Sequence, residues 1–114
     1  MTSSPDAAEA IRALATLLRV GASPRRALEQ WQFDAPPRLV GPLERMARKL
    51  RLGASIDQSL ATLESVMGSD LSSLRGFFAV HRRVGGDLPE TLDQLANSVE
   101  RRAAAEAAGR AAGA

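Results

Sequence analysis

Gly53-Ala54-Ser55-Ile56-Asp57-Gln58-Ser59-Leu60 is the stretch on which the fold turns. A glycine can take the left-handed conformation that closes a helix. Ser55, two residues later, is a good N-cap for a second helix. Gln58, three residues further on, has the spacing of a capping box. Leu60 then points the new helix's apolar face back at the old one. The same arrangement precedes it as Gly21-Ala22-Ser23-Pro24-Arg25-Arg26-Ala27-Leu28, where Pro24 falls at the first helical position and its missing N–H costs nothing. It follows as Gly85-Gly86-Asp87-Leu88-Pro89-Glu90-Thr91-Leu92, with Asp87 and Glu90 at capping-box spacing. The leading glycines recur every 32 residues (53 − 21 and 85 − 53). A regular period of this size defines an architecture of repeated helix–turn–helix joints.

The segments around the joints carry helical periodicity. Ala10, Ile11, Leu14, Leu17 and Leu18 share a face, as do Leu39, Leu43, Met46, Ala47 and Leu50. Leu71, Leu74, Phe77, Phe78 and His81 form a third stripe, and Leu88, Leu92, Leu95, Ala96 and Val99 a fourth. Ser4-Pro5 and Gly68-Ser69-Asp70 read as helix starts; Gly41-Pro42 competes with Pro36-Pro37 to open the third helix. The pattern predicts six helices, at 5–20, 24–32, 38–52, 56–65, 70–84 and 88–108. Short connections make neighbours antiparallel, so the expected fold is an all-α antiparallel six-helix bundle. No segment alternates as a strand would. Beyond Val99 the chain is rich in Ala and Arg, with high helix propensity and no large apolar side chain to bury. The expectation is a bundle domain over 5–108 and a frayed tail over 109–114.

Composition narrows the chemistry. The 114 residues are 45% apolar but only 4% aromatic, which suits helix-on-helix packing by aliphatic side chains. With no cysteine, disulfide scaffolds, zinc ribbons and thiol catalysis are excluded. One histidine rules out a cluster of imidazole ligands, and with no tyrosine and no cysteine a catalytic triad or metal hydrolase has little to draw on, so no catalytic, cofactor-binding or metal site is expected. No run approaches the ~20 apolar residues of a membrane span. Net charge is only +2 and Lys49 is the one lysine, a weak basis for nucleic-acid binding.

Several residues need weighing. His81 follows Phe77 on an apolar stripe and reads as a packed or interfacial histidine rather than an acid–base group. Asp57, Glu64 and Asp70 surround the second joint; compensation of helix N-termini accounts for Asp57 and Asp70 more simply than a cation site does. Trp31 and Phe33 read as core plugs, with a partner-facing anchor as the alternative. The basic groups, Arg25-Arg26, then Arg48 and Arg51 with Arg45 and Lys49, then Arg82-Arg83 and Arg101-Arg102, form either a solvated surface or a surface for acidic partners or anionic headgroups.

Together these elements resemble the type II secretion F domain. Leu17-Leu18-Arg19-Val20-Gly21-Ala22-Ser23-Pro24-Arg25-Arg26-Ala27-Leu28 is similar to its opening, Leu43 to Leu60 to its middle, and Val84-Gly85-Gly86-Asp87-Leu88-Pro89-Glu90-Thr91-Leu92 to its closing joint. The compressed closing turn, with no glutamate beside Gly85, looks more like the tight-adherence (Tad/Flp) pilus branch. The resemblance implies a non-enzymatic domain on the cytoplasmic face of the bacterial inner membrane. The domain would belong to a platform protein that couples an assembly ATPase to pilin polymerisation or secretion. The implied partners are that ATPase, a second platform protein or another copy, and pilin subunits through a membrane part; nucleic acid is not among them. The tail would lead toward a transmembrane helix, with Arg101, Arg102 and Arg110 as its positive flank. The structural turns are Gly21, Gly53, Gly85, Ser23, Ser55 and Asp87, and the candidate partner surface is Arg48, Arg51, Arg82, Arg83, Arg101 and Arg102. A soluble helical adaptor is the rival reading, and a small nucleic-acid-binding bundle a weaker one.

Overall fold

A computed structural model describes residues 4–113, and within it the joints take the geometry their sequences require. At the first, α1 (Ser4–Arg19) ends with the Gly21 N–H on the Leu18 carbonyl and the Ala22 N–H on the Leu17 carbonyl. This paired 5→2 and 6→1 pattern is the Schellman motif, made possible by Gly21 at φ +102°. Ser23 then caps α2 (Pro24–Gln30), its hydroxyl accepting from the Arg26 N–H at 3.2 Å. The second joint repeats the pattern residue for residue between α3 (Pro37–Arg51) and α4 (Ile56–Ala61). Gly53 and Ala54 donate to Leu50 and Lys49, and the Ser55–Gln58 capping box is complete, with both bonds at 3.0 Å.

The third joint differs. α6 (Ser69–Val84) closes on Gly85 at φ +74°, ψ −144°, a region open essentially to glycine alone. Its N–H returns to the His81 carbonyl, so no Schellman pair forms. Asp87 opens α7 (Leu88–Gly113) by accepting the Glu90 N–H at 3.1 Å. Glu90 does not return the bond; its carboxylate is shared between Gln94 and Arg19.

The described residues are helical throughout, without strands, and contain seven α-helices rather than six. The expected helix over 56–65 is broken. Thr62 turns its hydroxyl onto the Ser59 carbonyl at 2.7 Å, and Thr62 and Leu63 take tighter i→i−3 bonds. Leu60, Leu63 and Met67 are all buried in the core, the last from the single-turn helix α5 (Glu64–Met67). α3 begins at Pro37, after Pro36 in an extended conformation, and passes through Gly41-Pro42 instead of starting there. α2 ends in a 3-10 turn, Trp31–Phe33.

One apolar core runs through all of these elements. α1 and α7 form its largest pairing, and they are antiparallel: Arg12 bonds Glu100 and Asn97, while Arg19 pairs with Asp93 and Glu90. Ala7, Ala8, Ala10 and Ala15 are buried on α1, and such small side chains let Leu88, Leu92, Leu95 and Val99 of α7 seat closely. Trp31 is fully buried, with its indole N–H on the Ala10 carbonyl at 2.7 Å, which ties the end of α2 to the middle of α1. Phe33 is not a core plug; it is 77% exposed. Two residues apart on a tight helical turn, Trp31 and Phe33 point to different sides, so one stacked inward puts the other in solvent.

α7 is 26 residues long, about 39 Å at 1.5 Å per residue. It stays helical to Gly113, beyond the expected end at 108, and its residues from Ala104 onward extend past the core. This gives the molecule its 49 × 29 × 22 Å outline.

Candidate functional site

The three joints meet at one end of the molecule. Arg25, in the first, donates from one guanidinium nitrogen to the Leu50 and Ala54 carbonyls of the second. Those carbonyls belong to the C-terminal turn of α3 and the loop beyond it, where orphan acceptors and the negative end of the helix dipole both favour a cation. A groove between the second joint and α6 is lined by Ile56, Asp57, Arg75 and Arg82. Another groove, lined by Leu18, Ala22 and Pro24 on one side and by Gly86, Asp87 and Pro89 on the other, joins the first joint to the third. The beginning of α1 and the far part of α7 lie at the opposite end, where Pro5 and Glu9 share a groove with Ala103 and Ala104.

Charges at the joint end are partly committed. Asp57 is held by Arg75 in a two-pronged pair, Nε to Oδ1 at 2.9 Å and Nη2 to Oδ2 at 2.8 Å. That hydrogen bond, reinforced by the charge of Arg75, holds the Asp57 carboxyl below the ordinary aspartate range, and Arg75 is raised in turn. Arg19 is likewise raised by its bond to Asp93. Arg26, Lys49, Arg51 and Arg83 are exposed and form no ion pair among the described residues, while the charge of Arg82 also helps to lower Asp57.

The six arginines of the candidate surface therefore divide. Arg51 and Arg83 stand exposed at the joint end without a carboxylate partner among the described residues, and Arg82 shares its groove with Asp57, whose carboxyl its charge helps to lower. Arg48, one turn before the end of α3, pairs with Glu44 at 3.4 Å. Arg101 and Arg102 lie on the distal half of α7, and Arg102 is taken by Asp70 at the start of α6. Asp57 and Asp70 thus each serve a different arginine, and no group of three potential ligands that could hold a metal occurs among the described residues. His81 is half-buried between the two grooves that flank the third joint, with its Nδ1 buried and unpartnered.

The sequence reading passed over one set of residues at this end. Val20, Leu52 and Val84 each precede the leading glycine of a joint, at the same repeat spacing, and are 78%, 82% and 78% exposed. The repeat itself was the signal that could have found them. On α6, the exposed Val80 and the half-buried Phe77 line a groove with Gly85, Gly86 and Leu88.

Comparison with known proteins adds one match. The model of the family described as type II secretion system (T2SS), protein F, fits residues 10–113. No curated protein and no solved structure matches the chain. Among the described residues, no helix is long and apolar enough to cross a membrane.

Proposed function

The chain belongs to the type II secretion system protein F family, and on that premise we propose that it is the cytoplasmic domain of an inner-membrane platform protein of the Tad/Flp pilus type. Proteins of this family are structural platform components of secretion and pilus systems and not enzymes. The match over residues 10–113 carries the reading, because it spans all three glycine joints. The compact closing turn Val84-Gly85-Gly86-Asp87 supports the pilus branch within the family.

In this role the domain is a mechanical part without chemistry of its own. It would transmit movement of the assembly ATPase to the membrane-embedded part, which handles pilin subunits and meets a second platform protein or another copy. The rigidity that such transmission needs is supported by the joints, whose ends are closed by caps and by Arg25 bridging two of them. Arg51 and Arg83, with no ion pair among the described residues, are the part of the candidate surface best placed to meet a partner. The expected six-helix antiparallel arrangement survives in this proposal as a bundle whose fourth element is bent into α4 and α5.

The test is direct binding. The cognate assembly ATPase, titrated against the protein at low and physiological salt, is expected to bind more tightly at low salt. Absence of binding at both salt concentrations would refute the coupling role.

A further inference from the structure

We propose that the joint end is a docking site for an acidic protein surface, with Val20, Leu52 and Val84 as its apolar contacts and Arg26, Arg51 and Arg83 as its charged rim. On the platform reading, on which this inference rests, the occupant is an acid-rimmed face of the assembly ATPase.

The apolar residues carry the argument. Local structure does not require an aliphatic side chain just before the glycine. The Schellman motif draws its apolar contact from the residue after the glycine and one near the start of the last turn, which here are Ala22 and Leu17. Val20 lies outside that contact and is 78% exposed; Leu52 and Val84 are as open, at 82% and 78%. A single exposed aliphatic residue needs no explanation. Three at the same repeat position, brought to one end by joints that touch each other, form the apolar centre of a surface.

The rim fixes the sign of the partner. The carboxylates near this end are occupied: Asp57 by Arg75, Asp93 and Glu90 by Arg19, and Asp87 by the first turn of α7. Arg26, Arg51 and Arg83 have no such partner among the described residues, so a complementary surface presents carboxylates. Arginine also suits this task because its planar fork matches a carboxylate in a two-pronged bond.

Geometry favours a protein over a bilayer. Residues Pro5 and Ala104 lie together at the far end, and α7 continues away from there. Any membrane-embedded part continuous with α7 is therefore attached at the pole opposite the joints, on a molecule 49 Å long. The joint face is the one turned away from it.

The experiment compares the full chain with three variants: Val20→Ser/Leu52→Ser/Val84→Ser, Arg51→Glu/Arg83→Glu, and the distal control Arg110→Glu. Circular dichroism melts establish that each is folded. Each is titrated with the cognate assembly ATPase and sedimented with vesicles of three parts phosphatidylcholine to one part phosphatidylglycerol. The expected result is a loss of ATPase affinity of more than tenfold in the serine and joint-end charge variants and less than twofold in the control. Equal ATPase binding by wild type and serine variant overturns this docking face and leaves the coupling role standing. Absence of ATPase binding by the wild type overturns the coupling role itself and this occupant with it. Vesicle binding that the serine variant loses, alongside unaltered ATPase binding, overturns the protein occupant in favour of a lipid surface.

Discussion

Ser59 is fully buried on α4 and its hydroxyl has no hydrogen-bond partner, so Ser59→Ala is expected to stabilise the protein. The magnitude follows from three contributions. A buried hydroxyl without a partner costs about 1–3 kcal/mol. Alanine is the better helix former by roughly half a kcal/mol. Against these, removing one oxygen from a packed site forfeits a handful of contacts at about 0.1–0.2 kcal/mol each, roughly half to one kcal/mol in all. The net is about 1.5 kcal/mol in favour of alanine. With an unfolding entropy of about 2.1 cal/mol/K per residue, that is a rise of about 6 °C in melting temperature for a chain of this length. In urea, the midpoint should move up by about 0.5–1.5 M at unchanged slope. The equivalent positions in the other joints frame the comparison. Ala27 is buried without a hydroxyl, and Thr91 turns its hydroxyl onto the Asp87 carbonyl at 3.0 Å. Ala27→Ser should therefore cost what Ser59→Ala gains. An unchanged or lowered midpoint for Ser59→Ala would mean that the Ser59 hydroxyl reaches the Ser55 carbonyl in solution as Thr91 reaches Asp87, and the reasoning would fail.

Three further outcomes can be measured in the same way. Gly85→Ala should destabilise by about 1–3 kcal/mol because an alanine is strained at φ +74°, ψ −144°, whereas Gly76→Ala, on the exposed face of α6 with open space beside it, should stabilise by up to about 1 kcal/mol; paired urea titrations separate the two. Trp31, the only tryptophan, is buried, so its fluorescence should shift to the red on unfolding in step with the loss of helical circular dichroism; an earlier fluorescence change would mean that α2 detaches from α1 before the core melts. Asp57 has a carboxyl held below its ordinary range by Arg75, so its contribution is present above the unfolded aspartate pKa and is lost as pH falls through the lower folded value; melting temperature followed downward from about pH 5 should decline less steeply in Asp57→Asn, and parallel curves would remove the pair from the acid limb.

The joints were legible because their information is local. A glycine, a cap two residues on and a leucine at the end of each copy specify a turn and a facing stripe with no knowledge of the rest of the chain. The stripes on α3 and α7 were likewise readable, and every residue assigned to them is buried. What stayed hidden depended on competition. The break at Thr62 coincides with a threonine hydroxyl on the Ser59 carbonyl and with i→i−3 backbone bonds at Thr62 and Leu63, whereas Leu60, Leu63 and Met67 are spaced as one stripe of an unbroken helix, so their periodicity hides the break. The pairing of Asp57 with Arg75, 18 residues away, and of Asp70 with Arg102, 32 residues away, depends on helix packing that no local pattern encodes. Those pairings decide which arginines stay unpaired and hence which of the six candidates can face a partner.

The repeat itself distinguishes positions kept for folding from positions kept for something else. The glycines recur because the chain must reverse there, and Leu28, Leu60 and Leu92 recur because each is fully buried. Both sets have a structural reason visible in the same coordinates. Val20, Leu52 and Val84 keep an aliphatic side chain at the same repeat position and are left in solvent, so core packing supplies no reason for them. Changing them to serine should alter stability by no more than about 0.5 kcal/mol each, the range of ordinary surface substitutions. Aliphatic side chains at three equivalent exposed sites, at the same end as Arg51 and Arg83, are what the proposed docking contact would use. The joints thus do two things: they reverse the chain, and they carry the surface by which the domain would be gripped.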